Sequence, residues 1–167
     1  RLLKFTAARD IFKELLLEKE SMLNVQVEAA KMYQQWAAFP GSEKLYMKAM
    51  AGSEAHPKTG KNIIWGWGRL FQVTAKYEEF RNIFHEARYN LAVCRYEYGK
   101  TMKSPGDQEE QYKKAKDAIL QTQQLYGTGP EWKAWEPKYD ALLKKIQKTL
   151  REPADGLPEI KRTDAAE

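Results

Sequence analysis

The stretch Glu78-Glu79-Phe80-Arg81-Asn82-Ile83-Phe84-His85-Glu86-Ala87-Arg88-Tyr89-Asn90-Leu91-Ala92-Val93-Cys94-Arg95-Tyr96-Glu97-Tyr98, continuing to Lys103, decides the fold. At about 100° per residue, Phe80, Phe84, Ala87, Leu91, Cys94 and Tyr98 fall along one face of a helix, and Tyr89, Ala92, Val93 and Tyr96 fall on the opposite face. A helix apolar on two opposed faces has to be covered on both, so 78–103 is expected to form an interior layer of a stack of helices. The two remaining stripes are charged and opposite in sign. Arg81, Arg88 and Arg95 recur along one, and Glu79, Glu86 and Glu97 with Asn90 occupy the other.

Working toward the C-terminus, Ser104-Pro105-Gly106-Asp107 breaks this helix and caps a next one over 108–126, whose stripe is Tyr112, Ala115, Ile119, Thr122 and Tyr126. Gly127-Thr128-Gly129-Pro130 makes a turn into a last helix that reaches about residue 150. Trp132, Trp135, Tyr139, Leu142, Leu143, Ile146 and Leu150 share one of its faces, and Pro137 is expected to split or restart it. Residues 151–167 hold Pro153, Gly156, Pro158 and an excess of acid, and read as a flexible acidic tail or linker after a single 1–150 domain.

Toward the N-terminus, 2–19 places Phe5, Ala8, Phe12, Leu15 and Leu16 at helical spacing, and 22–38 does so with Met22, Val25, Ala29, Met32, Tyr33 and Trp36. Pro40-Gly41-Ser42 ends this pair and offers Ser42 as the cap of a short helix over 43–51. Residues 52–61 carry no apolar period and read as a loop. Asn62 then caps a helix expected over 63–76, whose Gly66 and Gly68 each cost about 1 kcal/mol relative to Ala unless a neighbouring helix comes close. No strand pattern of useful length is present. The class is therefore all-α, with about six to seven helices.

Composition bounds the function. The chain has 167 residues, 43% hydrophobic and 12% aromatic, enough for one packed domain and too apolar for disorder. No apolar run approaches the roughly 18 residues that cross a bilayer, so membrane insertion is not expected. The 28 basic residues exceed the 23 acidic ones by only five, with no block basic enough to be a nucleic-acid arm. A start at Arg1 rather than Met, with no leader pattern, reads as a processed piece of something longer and leaves the compartment open.

Tyr89-x2-Ala92-Val93-x2-Tyr96, followed by Ala115-x3-Ile119-x2-Thr122 and Gly127, resembles one tetratricopeptide repeat over residues 87–127. Phe5, Ala8 and Phe12 with Ala29, Tyr33 and Trp36 look like a more degenerate copy over 5–38. The block from Gly60-Lys61-Asn62 through Asn90-Leu91-Ala92 also resembles a segment of large bacterial helical-repeat proteins. The resemblance implies antiparallel helical hairpins stacked as a short α-solenoid. It further implies that a peptide or partner protein is bound in a groove lined by the first helices, and that Asn90 faces that groove with Glu97 and Tyr98.

Signals for chemistry are weak. Gly60-Lys61 lacks the phosphate-loop pattern, since Ala55 stands at the first Gly position and Asn62 in place of Ser or Thr. His85-Glu86 starts like a zinc-peptidase helix, but Tyr89 stands where the second His belongs, and His85 reads as a partly exposed helix residue. Cys94 reads as a small core residue, Trp65 and Trp67 diverge by about 200° so that at least one is core, and Glu78-Glu79 and Glu109-Glu110 read as solvated first-turn acids. No catalytic residue, metal or cofactor is expected.

Three guanidinium groups about 10 Å apart, Arg81, Arg88 and Arg95, are the strongest binding candidates, suited to an acidic peptide segment unless acids on neighbouring helices neutralise them. The expected function is a non-enzymatic protein-protein interaction or scaffolding module of a larger bacterial protein or assembly. The alternatives are an RNA-binding helical repeat and an accessory domain of a larger enzyme.

Overall fold

In the computed structural model, which describes residues 2–160, helices α1 (Leu2–Glu18), α2 (Leu23–Ala37) and α3 (Leu45–Ala51) are followed by a hairpin of β1 (Ser53–Ala55) and β2 (Asn62–Ile64). Then come α4 (Gly66–Thr74), a 3₁₀ turn over Glu78–Phe80, α5 (Arg81–Thr101), α6 (Pro105–Tyr126) and α7 (Trp132–Thr149). The all-α class and the number of helices agree with the sequence, and none of these helices is long and apolar enough to cross a membrane.

The two-faced segment forms the centre. On one side of α5, Ala87, Leu91 and Cys94 join a core made with Leu16 of α1, Ala29, Ala30 and Tyr33 of α2, Ala49 of α3, and Trp67 and Leu70 of α4. On its other side, Ala92 joins Tyr112, Ala115 and Ile119 of α6 and Tyr139, Leu142, Leu143 and Ile146 of α7, with Tyr89, Val93 and Tyr96 packed against them. Both apolar stripes are covered, as the interior layer requires. At its start the helix differs from expectation: Glu78–Phe80 winds as a 3₁₀ turn, and the α-helix begins at Arg81.

The largest correction lies before α4. Residues 62–64, expected to open a helix, are a strand, and 53–55 are a strand within the expected loop; they pair antiparallel with Ser53 opposite Ile64 and Ala55 opposite Asn62. The physical reason is a side chain from another element. Gln26 of α2, fully buried, donates from Nε2 to the Ile63 carbonyl (2.8 Å) and accepts the Trp65 backbone N–H on Oε1 (2.9 Å). This bracket satisfies the Ile63 carbonyl, which a helix over 63–76 would have bonded internally, together with the Trp65 N–H. Residues 56–61 close the hairpin, with the His56 N–H bonded to the Lys61 carbonyl at 2.7 Å.

Two glycines let the backbones meet. Gly52 (φ 88°) and Gly66 (φ 72°) adopt the left-handed region, which Cβ-bearing residues disfavour. A Cβ on Gly52 would lie 2.3 Å from the Ile64 carbonyl oxygen, and one on Gly66 would lie 2.5 Å from the Gly52 nitrogen and 2.9 Å from the Ala49 oxygen. The close neighbour expected at Gly66 is therefore the C-terminal end of α3.

Smaller differences have local causes. α3 begins at Leu45 with no side-chain cap, so Ser42 does not cap it. α6 starts earlier than expected, because Ser104 is itself the cap, accepting the Asp107 N–H, and Pro105 takes the first helical position. Pro137 neither splits nor restarts α7: it lies near the start of the helix and costs a single backbone bond. The first residues of the expected tail are held against α6 and α7. The Gly156 N–H donates to Gln147 Oε1, the Leu157 N–H to Asp140 Oδ1, and Gln123 Nε2 to the Pro158 carbonyl. Residues 161–167 of that tail lie outside the described residues.

Gly66→Ala and Gly52→Ala should each lower unfolding stability by about 2 kcal/mol or more, through backbone collision and strain together. Gly41→Ala, at φ 85° with no atom near its added Cβ, should lose only about 1 kcal/mol. Urea unfolding of the three variants measures the difference.

Candidate functional site

Side chains of α2, α5 and α7, with Tyr46 of α3, border an open groove of about 450 Å³. Its apolar surface comes from Tyr46, Tyr89, Val93 and Trp135, and its charged surface from Glu86 and Glu97 on α5, Lys31 on α2 and Lys138 on α7. α5 presents these groups because its acidic stripe lies beside the Tyr89/Val93 face that packs toward α7.

A relay of hydrogen bonds fixes the polar wall. The indole N–H of fully buried Trp67 donates to Gln34 Oε1 (2.7 Å), Gln34 Nε2 donates to Asn90 Oδ1 (3.0 Å), and Asn90 Nδ2 donates to the Glu86 carbonyl (2.9 Å). Lys31 bridges Glu28 and Glu86 at 3.0 and 3.1 Å, and those partners raise its pKa. Lys138 stands 4.7 Å from the centre of the Trp135 ring. Asn90 and Glu97 thus line the groove, and Tyr98 packs against the first core. Gln34, which holds Asn90 in place, carries no mark in the sequence that sets it apart from other helix residues, and Trp67 is marked there only as a core candidate.

Arg81, Arg88 and Arg95 do not line this groove. Arg81 donates to the Ala75 carbonyl and lies against the rings of Phe84 and Tyr126, with its guanidinium carbon 5.1 and 4.7 Å from their centres. Arg88 joins α5 to α6. Its Nε donates to Thr122 Oγ1 (3.0 Å), one terminal nitrogen donates to the Ala118 carbonyl (3.2 Å) and Gln121 Oε1 (3.3 Å), and the group stacks on Phe71 at 4.8 Å. Burial lowers the pKa of Arg88, and Arg95 beside it adds to the effect; burial also lowers that of Arg95. Carbonyl, hydroxyl and aromatic faces, rather than neighbouring acids, hold Arg81 and Arg88, while Arg95 lines an open surface depression with Lys114, Asp117 and Gln121.

His85 corrects another expectation. It is 1% exposed, enclosed by Phe84, Tyr126, Trp132, Trp135 and Tyr139. The Tyr139 hydroxyl donates to the His85 carbonyl (3.1 Å) and lies 3.3 Å from Nδ1, so the imidazole Nδ1–H is the donor in that second contact. Burial, aided by Arg81, pushes the His85 pKa down to about 4 and leaves the ring neutral at pH 7. Cys94 is fully buried and its thiol pKa is raised by burial, which opposes thiolate chemistry. Trp65 and Trp67 are both core residues, and Glu109 and Glu110 pair with Lys113 and Lys114 on the helix surface.

Arg88→Met should lose about 1 kcal/mol of stability in urea unfolding, because the guanidinium's bonds to Thr122 Oγ1 and the Ala118 carbonyl are lost while the Thr122 hydroxyl still donates to Ala118. The His85 pKa is below its unfolded value of about 6.5, so the unfolded chain takes up the proton first. Stability should fall by about 1.5 kcal/mol from pH 6.5 to pH 5. His85→Gln should flatten that slope, as measured by urea midpoints across the range.

No family model matches the chain, and neither the curated proteins nor the solved structures contain a match to it.

Proposed function

We propose that this protein is a non-enzymatic interaction module that takes a segment of another protein into the groove between α2, α5 and α7. The observation that carries the reading is the composition of that groove. Apolar rings and Val93 offer an anchor for one or two hydrophobic side chains, while Glu86, Glu97, Lys31 and Lys138 place both signs of charge around it. Asn90 is held in place by Gln34, so the wall costs little to order on binding.

The resemblance to tetratricopeptide repeats supports the same surface, since Asn90 and Glu97 occupy positions that the resemblance assigns to a binding groove. The partner's chemistry is accordingly mixed, with an apolar anchor and charges of both signs. An acidic segment gripped by three arginines has less support, because Arg81 and Arg88 are committed inside the chain. An RNA-binding repeat depends on the same arginines and loses support for the same reason.

Selection of peptides from a displayed random library on the purified protein tests the reading. Enriched peptides should carry an aromatic or aliphatic anchor flanked by charge, and Glu97→Lys combined with Lys138→Glu should weaken them at least tenfold with an unchanged circular dichroism spectrum. Selected peptides that bind the doubly reversed variant equally well would move the site elsewhere.

A further inference from the structure

Five of the nine large apolar side chains exposed among the described residues lie on one helix, α1: Leu2, Leu3, Ile11, Leu15 and Leu17. The inner face of α1, with Phe5, Ala8, Phe12 and Leu16, packs on the first core. Leu3, Ala7, Ile11 and Leu15, spaced four residues apart, make a second apolar stripe that points away from it, with Leu3 85%, Ile11 56% and Leu15 39% exposed. Contiguous exposed apolar side chains of this kind mark interaction surfaces.

We infer that α1 is a self-association surface on which α1 of a second copy packs antiparallel about a two-fold axis beside Ile11. The choice of occupant follows from the pattern around that residue. In an antiparallel pair centred there, Ile11 meets its own copy, the small Ala7 faces the large Leu15, and Lys4 faces Glu18, each of the last two contacts occurring twice. The small residue leaves room for the large one, and the charges attract. A parallel pair in the same register would set Lys4 against Lys4 and Glu18 against Glu18. Both groups are available: the ion pairs that α1 residues make among the described residues use Arg9, Asp10 and Lys13 instead. Leu3 then lies along the aliphatic stem of Lys19. A 17-residue helix is about 25 Å long, so the interface is small and the dimer dissociates on dilution.

Sedimentation velocity of the 167-residue protein from about 5 to about 500 µM tests the inference. The expected result is a reversible shift from 19.4 kDa to twice that mass. Ile11→Glu should raise the dissociation constant at least tenfold with circular dichroism unchanged. Lys4→Glu alone should weaken the dimer about tenfold or more, and Lys4→Glu with Glu18→Lys should return it to within about threefold of the starting value. Because both of these positions are exposed, the charge-swapped pair stays informative even if the Ile11 variant misfolds. A chain monomeric over the whole range overturns the proposal. So does a dimer that Ile11→Glu leaves intact, or a double swap that fails to restore association.

Discussion

Everything in this molecule is arranged around one helix with no apolar face left for water. α5 contributes Ala87, Leu91 and Cys94 to one core and Ala92 to another, so the two cores share a common wall one helix thick. Burial of apolar surface on both faces leaves only two narrow stripes for charge. Those stripes line the α5–α6 seam, where Arg88 is half-buried, and the α2–α5–α7 groove that Glu86 and Glu97 line. Packing from two sides thus confines the charges of α5 to two stripes, and the sign that each stripe carries is a separate property of the sequence.

Much of this was legible in the sequence. The period of residues 78–103 has two apolar lines, and two lines demand two partners, whatever those partners are. What the sequence left open was set by contacts between distant positions. Ile63 and Ile64 read as the opening of a helix, and they form a strand instead because Gln26, far back in the chain, satisfies the peptide groups on either side of Ile64. His85 reads as partly exposed because its own helix places it between the apolar stripes; Trp132, Trp135 and Tyr139 on α7 enclose it. For the arginines, regular spacing was visible but the partners were not, since carbonyl groups and ring faces carry no charge to match by eye.

The groove residues divide in the same way. Asn90 and Glu97 were marked by their place on α5, whereas Lys31, Trp135 and Lys138 enter from α2 and α7 and become neighbours only once the helices are stacked. Arg81 and Arg88 show the converse: cationic side chains whose aliphatic stems and flat heads serve packing as much as charge.

The joint between α3 and α4 has a mechanical meaning. Helices that pack through side chains can slide, because rotamers change and layers of flexible atoms yield. At Gly52 and Gly66 there is no such layer: main chain rests on main chain, held in register by the hairpin beside it and clamped from α2 by Gln26. Peptide planes do not compress, so the joint acts as a weld rather than a bearing, and bending of the helical stack is directed to the side-chain-packed seams on either side of it.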